Sequence, residues 1–147
     1  MESSVAHFND ALSSLHTALV DSRNGYEEAA KDAGKTGLVS LYEEMIALRR
    51  QSIAELEPLL IKAGLTPDTG GSFMSTVHRT IISFQSMLTD LDETVLPGFI
   101  DGEKRILETY DEAIAQSGDP DREVLTRQRA ELIERIAEME RRAQKAA

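Results

Sequence analysis

The chain has 147 residues, the length of one ordinary domain, and can bury a core without a disulfide or structural metal. It contains no cysteine, which excludes disulfides and thiolate metal sites. Its formal net charge is −10, from 26 acidic and 16 basic residues. We therefore expect no nucleic-acid partner, because phosphate binding requires a basic face.

The hydrophobic segments predict neither a membrane span nor a secretory leader. No apolar run approaches the roughly 18 residues that a spanning helix needs. The opening MESSVAHFND lacks the basic and then apolar stretch of a signal peptide. We therefore expect no membrane partner and a cytoplasmic location.

Two long helices are predicted for the first half of the chain. Apolar residues in steps of three and four predict one helix over about 4–33 and a second over about 36–63. Thr36 suits the N-cap of the second helix, and Pro58 inside it predicts a kink or a break in the last turns. The apolar seam of the second helix is predicted at Leu38, Leu41, Met45, Leu48, Ser52, Leu56, Leu59 and Ala63.

The second half begins with a loop and a short helix. The sequence LTPDTGGS is rich in turn-forming residues, and the apolar pattern that follows predicts a short helix over 73–88. A third long helix is predicted over 91–116, with a kink or a late start at Pro97-Gly98. Asp119-Pro120 is a strong start signal for a last helix over 120–143.

Loop lengths indicate how these helices are connected. Short loops make antiparallel neighbours, whereas a long central connection lets the second and third helices run parallel. The sequence thus predicts an all-α, ferritin-like antiparallel four-helix bundle with a long crossover that contains a short fifth helix.

The third long helix contains an irregularity, DGEKRILETYDEAI. Its apolar residues mark one face, and Glu103 falls on that same face, directly after Gly102. A carboxylate facing the core is either a metal ligand or a side chain that is hydrogen-bonded or reaches the rim. A glycine beside the seam, here and at Gly25, is either kept for a close backbone approach or tolerated at the surface.

The ligand set of a di-iron bundle is absent from the sequence. That site needs two Glu residues and two Glu-x-x-His pairs, all pointing inward. The residue three positions before each histidine is a serine, at His7, His16 and His78. We therefore expect no cofactor. Iron or manganese remains an alternative, and its candidate ligands are Glu103, Glu27 and Glu28.

Polar residues could instead meet in a central layer near the middle of the bundle. Three readings of Glu103 stay open: a hydrogen-bonded structural layer, a single weak metal or ligand site, and an exposed side chain. Arg49 could satisfy Glu103 or be solvated. The predicted central polar layer consists of Ser22, Tyr26, Arg49, Glu103, Tyr110 and Gln128.

Nucleophilic catalysis has little support. No serine lies in a G-x-S-x-G turn, and His16 is expected to be packed or at the rim. The short helix offers a different function, because its residues Phe73, Met74, Met87 and Leu88 could form a partner-binding face. We expect them instead to cover the open side of the core.

A set of motifs in fixed order resembles a known family. These are G-Y-x-x-A-A from Gly25, Arg49 with Glu55-Leu56, Val77-His78-Arg79, and G-E-x-x-x-x-x-x-Y-[DE]-x-A from Gly102. Over residues 8–143 the chain resembles a bacterial family of small ferritin-like proteins catalogued as a domain of unknown function. Members often carry Glu-Arg where this chain has Leu48-Arg49, so a carboxylate of the second helix is missing.

The resemblance implies a ferritin-like bundle but no reaction. We expect a non-catalytic or vestigial bundle with a structural or stress-associated role, compatible with a homodimer. The alternatives are a metal-binding oxidoreductase with an atypical ligand set and a module that binds an unidentified protein partner.

Overall fold

The computed structural model describes residues 2–32, 38–66 and 96–146. These ranges form four α-helices, α1 (Glu2–Asp32), α2 (Val39–Lys62), α3 (Leu96–Gln116) and α4 (Asp121–Ala146), and contain no strand. The predicted all-α class and four-helix bundle are confirmed for these ranges. The short helix predicted over 73–88, most of the LTPDTGGS loop and the predicted cap Thr36 lie outside the described residues.

The helix ends follow local sequence chemistry. Gly64, with φ +79°, ends α2 in a Schellman motif, in which Gly64 N–H donates to Ile61 O and Leu65 N–H donates to Leu60 O at 3.0 and 2.8 Å. Pro58 does not break α2, which continues to Lys62. Pro97 lies in the first described turn of α3, where a missing N–H costs least.

Side-chain contacts fix the directions of the first three helices. Ser22 of α1 contacts Arg49 of α2, and Tyr26, one turn later in α1, packs on Tyr42, one to two turns earlier in α2. The two helices are therefore antiparallel. Tyr26 also packs on Phe99 near the start of α3, while earlier residues of α1 lie beside later residues of α3. The helices α1 and α3 are thus antiparallel as well, so α2 and α3 run in the same direction.

The last helix closes the bundle against α3 and α2. Asp111 of α3 pairs with Arg129 of α4 at 2.5 Å, and Tyr110 bonds to the adjacent Gln128 of α4. The backbones of α2 and α4 approach each other less closely than the other neighbouring pairs do, and ion pairs such as Lys62–Asp121 span the gap. Because α2 and α3 run in the same direction, the end of α2 and the described start of α3 lie at opposite ends of the bundle.

The core is built from aliphatic residues and four buried aromatic rings, those of Tyr26, Tyr42, Phe99 and Tyr110. Its burial pattern corrects the predicted seam of α2 at one position. Leu48, placed on that seam, is only half-buried, whereas Arg49 is 0% exposed. Tyr42, Ile53 and Leu60 are buried in addition to the predicted positions. The buried face of α2 is wider than a heptad seam, because α2 packs against α1 while also contacting α3 and α4.

Gly102 does not mark a close helix–helix approach. In the described part of the chain, no neighbouring helix brings a heavy atom within 4 Å of the position that a Cβ atom would occupy there. Within the described ranges, no helix has both the length and the apolarity needed to cross a membrane.

Candidate functional site

Four buried or half-buried side chains from three helices form a hydrogen-bonded group that we call the ion-pair cluster: Ser22, Tyr26, Arg49 and Glu103. Arg49 donates from Nη2 to Oε1 of Glu103 and from Nε to the Ser22 hydroxyl at 3.0 Å. The Tyr26 hydroxyl donates to the other carboxylate oxygen, Oε2, at 2.5 Å. Both oxygens of Glu103 are therefore occupied by donors.

Burial of the ion-pair cluster carries a desolvation cost for its two charged side chains. Arg49 is 0% and Glu103 2% exposed, so the two charges have left water together. Burial lowers the pKa of the Arg49 guanidinium, an effect opposed by the nearby tyrosines Tyr26 and Tyr110. A buried ion pair recovers its desolvation cost only when its remaining hydrogen-bonding groups are satisfied. Here the hydroxyls of Ser22 and Tyr26 take part in satisfying them.

Aromatic packing holds Tyr26 in position for its bond to Glu103. The rings of Tyr26 and Phe99 stack with centroids 5.3 Å apart, and Tyr42 contacts both rings at 6.0 and 5.4 Å. Burial raises the pKa of Tyr26 well above its usual value. The phenol therefore stays protonated at neutral pH and can act as the donor.

A second group, the amide cluster, lies two turns further along α3 and consists of Ser52, Glu55, Tyr110 and Gln128. The Tyr110 hydroxyl donates to Oε1 of Gln128 at 2.8 Å. Gln128 Nε2 donates to the backbone oxygen of Ser52 at 3.2 Å and to Oε1 of Glu55 at 3.0 Å. One amide therefore links α3 and α4 to α2 across the wide side of the bundle.

The amide cluster reaches solvent at one edge. Glu55 is 30% exposed and accepts a further bond from Arg127 Nη2 at 2.8 Å. Tyr110, which is buried, has its pKa raised by burial to about 12. The hydroxyl of Tyr110 is thus a neutral donor at physiological pH.

The structure brings the six residues of the predicted central layer into these two clusters. Ser22, Tyr26, Arg49 and Glu103 are joined in one, and Tyr110 and Gln128 in the other. Glu103 is buried, which rules out its exposed reading, and Arg49 contacts it rather than solvent.

The other candidate metal ligands, Glu27 and Glu28, lie away from Glu103 in ion pairs at the surface. Glu27 pairs with Arg23 at 3.6 Å and with Arg50 at 3.2 Å, and Glu28 pairs with Lys31 at 3.1 Å. Within residues 2–32, 38–66 and 96–146, no three His, Asp or Glu side chains are grouped so that they could hold a metal ion.

Of the other residues considered in the sequence, one lies in the described structure and the rest do not. His16 is 3% exposed and buried in α1. His78 and the face predicted from Phe73, Met74, Met87 and Leu88 lie outside the described residues.

Three contributors were missed by sequence reasoning. The sequence places Ser52 on the seam without a polar role, Glu55 enters only as part of the family motif, and Tyr42 is not among the predicted site residues. A helical wheel with a wider buried arc would have included Tyr42. No sequence signal indicates that the partner of Gln128 is a backbone oxygen.

A comparison with protein families matches residues 7–116 to the family described as Domain of unknown function (DUF2383). The chain belongs to this family. The matched range covers nearly all of α1, all of α2 and α3, and the ion-pair cluster, and it ends before α4, which supplies Gln128. Neither the curated proteins nor the solved structures contain a match to the chain.

Proposed function

We propose that this protein is a ferritin-like four-helix bundle with a structural, non-catalytic role, whose centre is held by an internal ion pair. The topology supports the ferritin-like part of the proposal. In the described ranges α2 and α3 run in the same direction, which is the arrangement of ferritin-like bundles with one long crossover.

The pairing of Arg49 with Glu103 is the observation that carries the non-catalytic role. Among the described residues, Glu103 is the one buried carboxylate, and the Arg49 guanidinium supplies the positive charge beside it. In carboxylate-bridged bundles a metal ion neutralises inward-facing carboxylates, with ligands from all four helices. Here an arginine from α2 neutralises the carboxylate of α3.

Metal binding at Glu103 would carry a specific cost. A divalent cation would have to displace Arg49 and leave the guanidinium buried without its counter-charge, which costs about 3–5 kcal/mol when a buried pair is broken. The remaining side chains of the cluster are hydroxyls, which are weaker ligands than carboxylates or imidazoles.

Metal analysis tests the proposal directly. Protein purified from cultures supplemented with iron and manganese should contain well below one metal ion per chain, and added Mn²⁺ should leave the melting temperature unchanged. About two ions per chain, or a metal-dependent rise in melting temperature that Glu103→Gln abolishes, would support the alternative of a metal-binding oxidoreductase with an atypical ligand set. The exposed Glu108→Gln on the same helix is the matched control.

The bacterial and cytoplasmic setting and the stress-associated role also belong to this proposal and rest on the ferritin-like resemblance alone. A homodimer is compatible with it, and light scattering over a range of protein concentrations would measure the assembly state.

A further inference from the structure

A cleft between α1 and α3 lies directly over the ion-pair cluster and has no part in the structural role. It has a volume of about 190 Å³, and carbon atoms form most of its lining. Ala18 and Ile106 line it at one end, and the stacked rings of Tyr26 and Phe99 line the other. For comparison, an apolar cavity of about 150 Å³ can hold a benzene molecule.

The backbone of α3 opens the wall of this cleft at Gly102. Among the described residues, no heavy atom outside the local backbone of α3 lies within 4 Å of the position of a Cβ atom there. A mid-helix glycine costs about 1 kcal/mol relative to alanine. The space at Gly102 is therefore not required by a neighbouring helix of the described structure, and it widens the cleft.

One polar atom in the lining lacks a partner among the described residues. Oδ1 of Asp21 is buried and accepts no hydrogen bond. Desolvation raises the pKa of the half-buried Asp21 carboxyl. A buried acceptor without a donor is destabilising and is relieved by any ligand that brings one.

The charges around the cleft favour a cationic donor at Asp21. Glu103 lies in the lining but is already paired with Arg49, and Arg105 lies in the lining as an exposed side chain in contact with solvent. An ammonium group would supply hydrogen bonds and a counter-charge to Asp21. The rings of Tyr26 and Phe99 would accept an apolar or aromatic body, and the acidic protein as a whole attracts cations.

We propose that the α1–α3 cleft binds a small hydrophobic amine, with its ammonium group on Asp21 and its apolar body between Ile106 and the Tyr26–Phe99 rings. The size of the cleft suits a ligand of one aromatic ring with a short chain. The cleft shares Ser22, Tyr26 and Glu103 with the ion-pair cluster, but the ligand would bond to Asp21 and only pack against the Tyr26 ring.

Two small molecules of the same shape, one charged and one neutral, distinguish the contribution of the ammonium charge to binding from that of the apolar contacts. In ¹⁵N-resolved NMR titrations of the full chain at pH 7, 2-phenylethylamine should shift the amide signals around Asp21 and Gly102. It should bind about tenfold or more tightly than the neutral 2-phenylethanol, as expected for a hydrogen bond to a charged group. Failure of the amine to bind, equal affinity for the two probes, or shifts located elsewhere would overturn the proposal.

Three variants test the assignment. Asp21→Asn should reduce the affinity for the amine about tenfold and leave that for the alcohol unchanged, whereas Asp101→Asn, which removes an exposed carboxylate of α3, should alter neither. Gly102→Leu should fill the cleft and weaken both probes, while its amide spectrum stays dispersed. Undiminished amine binding by either Asp21→Asn or Gly102→Leu would contradict the site.

Discussion

The ion-pair cluster and the amide cluster use the same stripe of α3 in two different ways. Glu103 and Tyr110 are seven residues apart, about 10 Å along the helix axis. Glu103 bonds to side chains of α1 and α2, whereas Tyr110 bonds to Gln128 of α4. The first cluster has an ion pair at its centre, and both charged side chains are buried. The second is built on a neutral amide and opens to solvent through Glu55, which is 30% exposed.

The difference shows where burial makes a polar group indispensable. Removing one partner from a buried ion pair leaves a charge without compensation, whereas removing a neutral partner leaves only an unsatisfied dipole. The two clusters should therefore differ in how much stability a single substitution removes.

The largest effect is expected at the ion pair. Glu103→Gln should lower the free energy of unfolding by about 3–5 kcal/mol, because the Arg49 guanidinium stays buried without a counter-charge. Urea unfolding monitored by circular dichroism measures this loss. Glu108→Gln, on the exposed face of α3, should change stability by less than about 0.5 kcal/mol. Similar losses in the two variants would remove the distinction between buried and exposed carboxylates.

A smaller loss is expected in the amide cluster. Gln128→Leu keeps the side-chain size but leaves the Tyr110 hydroxyl and the Ser52 carbonyl without their partner, which should cost about 2 kcal/mol. The same unfolding measurement applies. A loss as large as that of Glu103→Gln would show that the neutral cluster is as demanding as the charged one.

Alkaline pH should sharpen the comparison through Tyr110. Burial raises its pKa from 10.0 to about 12, so the unfolded chain releases the phenolic proton at a lower pH than the folded chain does. Below pH 10 this pKa shift contributes fully to the free energy of unfolding. The contribution, about 2 kcal/mol, is lost as the pH rises towards 12. In unfolding experiments between pH 9 and 12, Tyr110→Phe should lose less stability than the unchanged chain. Parallel losses would contradict the buried, neutral phenol.

The smallest effect is a gain beside Glu103. Gly102→Ala should raise the free energy of unfolding by about 1 kcal/mol, because alanine favours the helix and its Cβ atom meets open space. A loss of stability would contradict the open space at Gly102.

The spacing of apolar residues in the sequence predicts most of the fold and part of the site. It placed Glu103 inside the bundle because its neighbours at three and seven residues, Ile106 and Tyr110, are core residues of one face. It misplaced Leu48 relative to Arg49, because hydropathy assigns an aliphatic residue to the core before an arginine. The burial of Arg49 follows from its partner on α3, which no local pattern in α2 can encode.

In both clusters, the buried positions were predictable from the sequence but the hydrogen-bond partners were not. Tyr26 and Gln128 lie on helical faces that the sequence marks, but their partners depend on which helices become neighbours. The bond from Gln128 to the Ser52 backbone oxygen arises from the wide α2–α4 spacing, a property of the assembled bundle.

The central claim is that Arg49 and Glu103 stabilise each other as a pair, and a double-mutant cycle measures this most directly. Arg49→Met, Glu103→Gln and the double variant should give a coupling free energy of about 2 kcal/mol or more, with the double variant losing less stability than the sum of the single variants. A coupling indistinguishable from zero would show that the two charges do not depend on each other and would contradict the account.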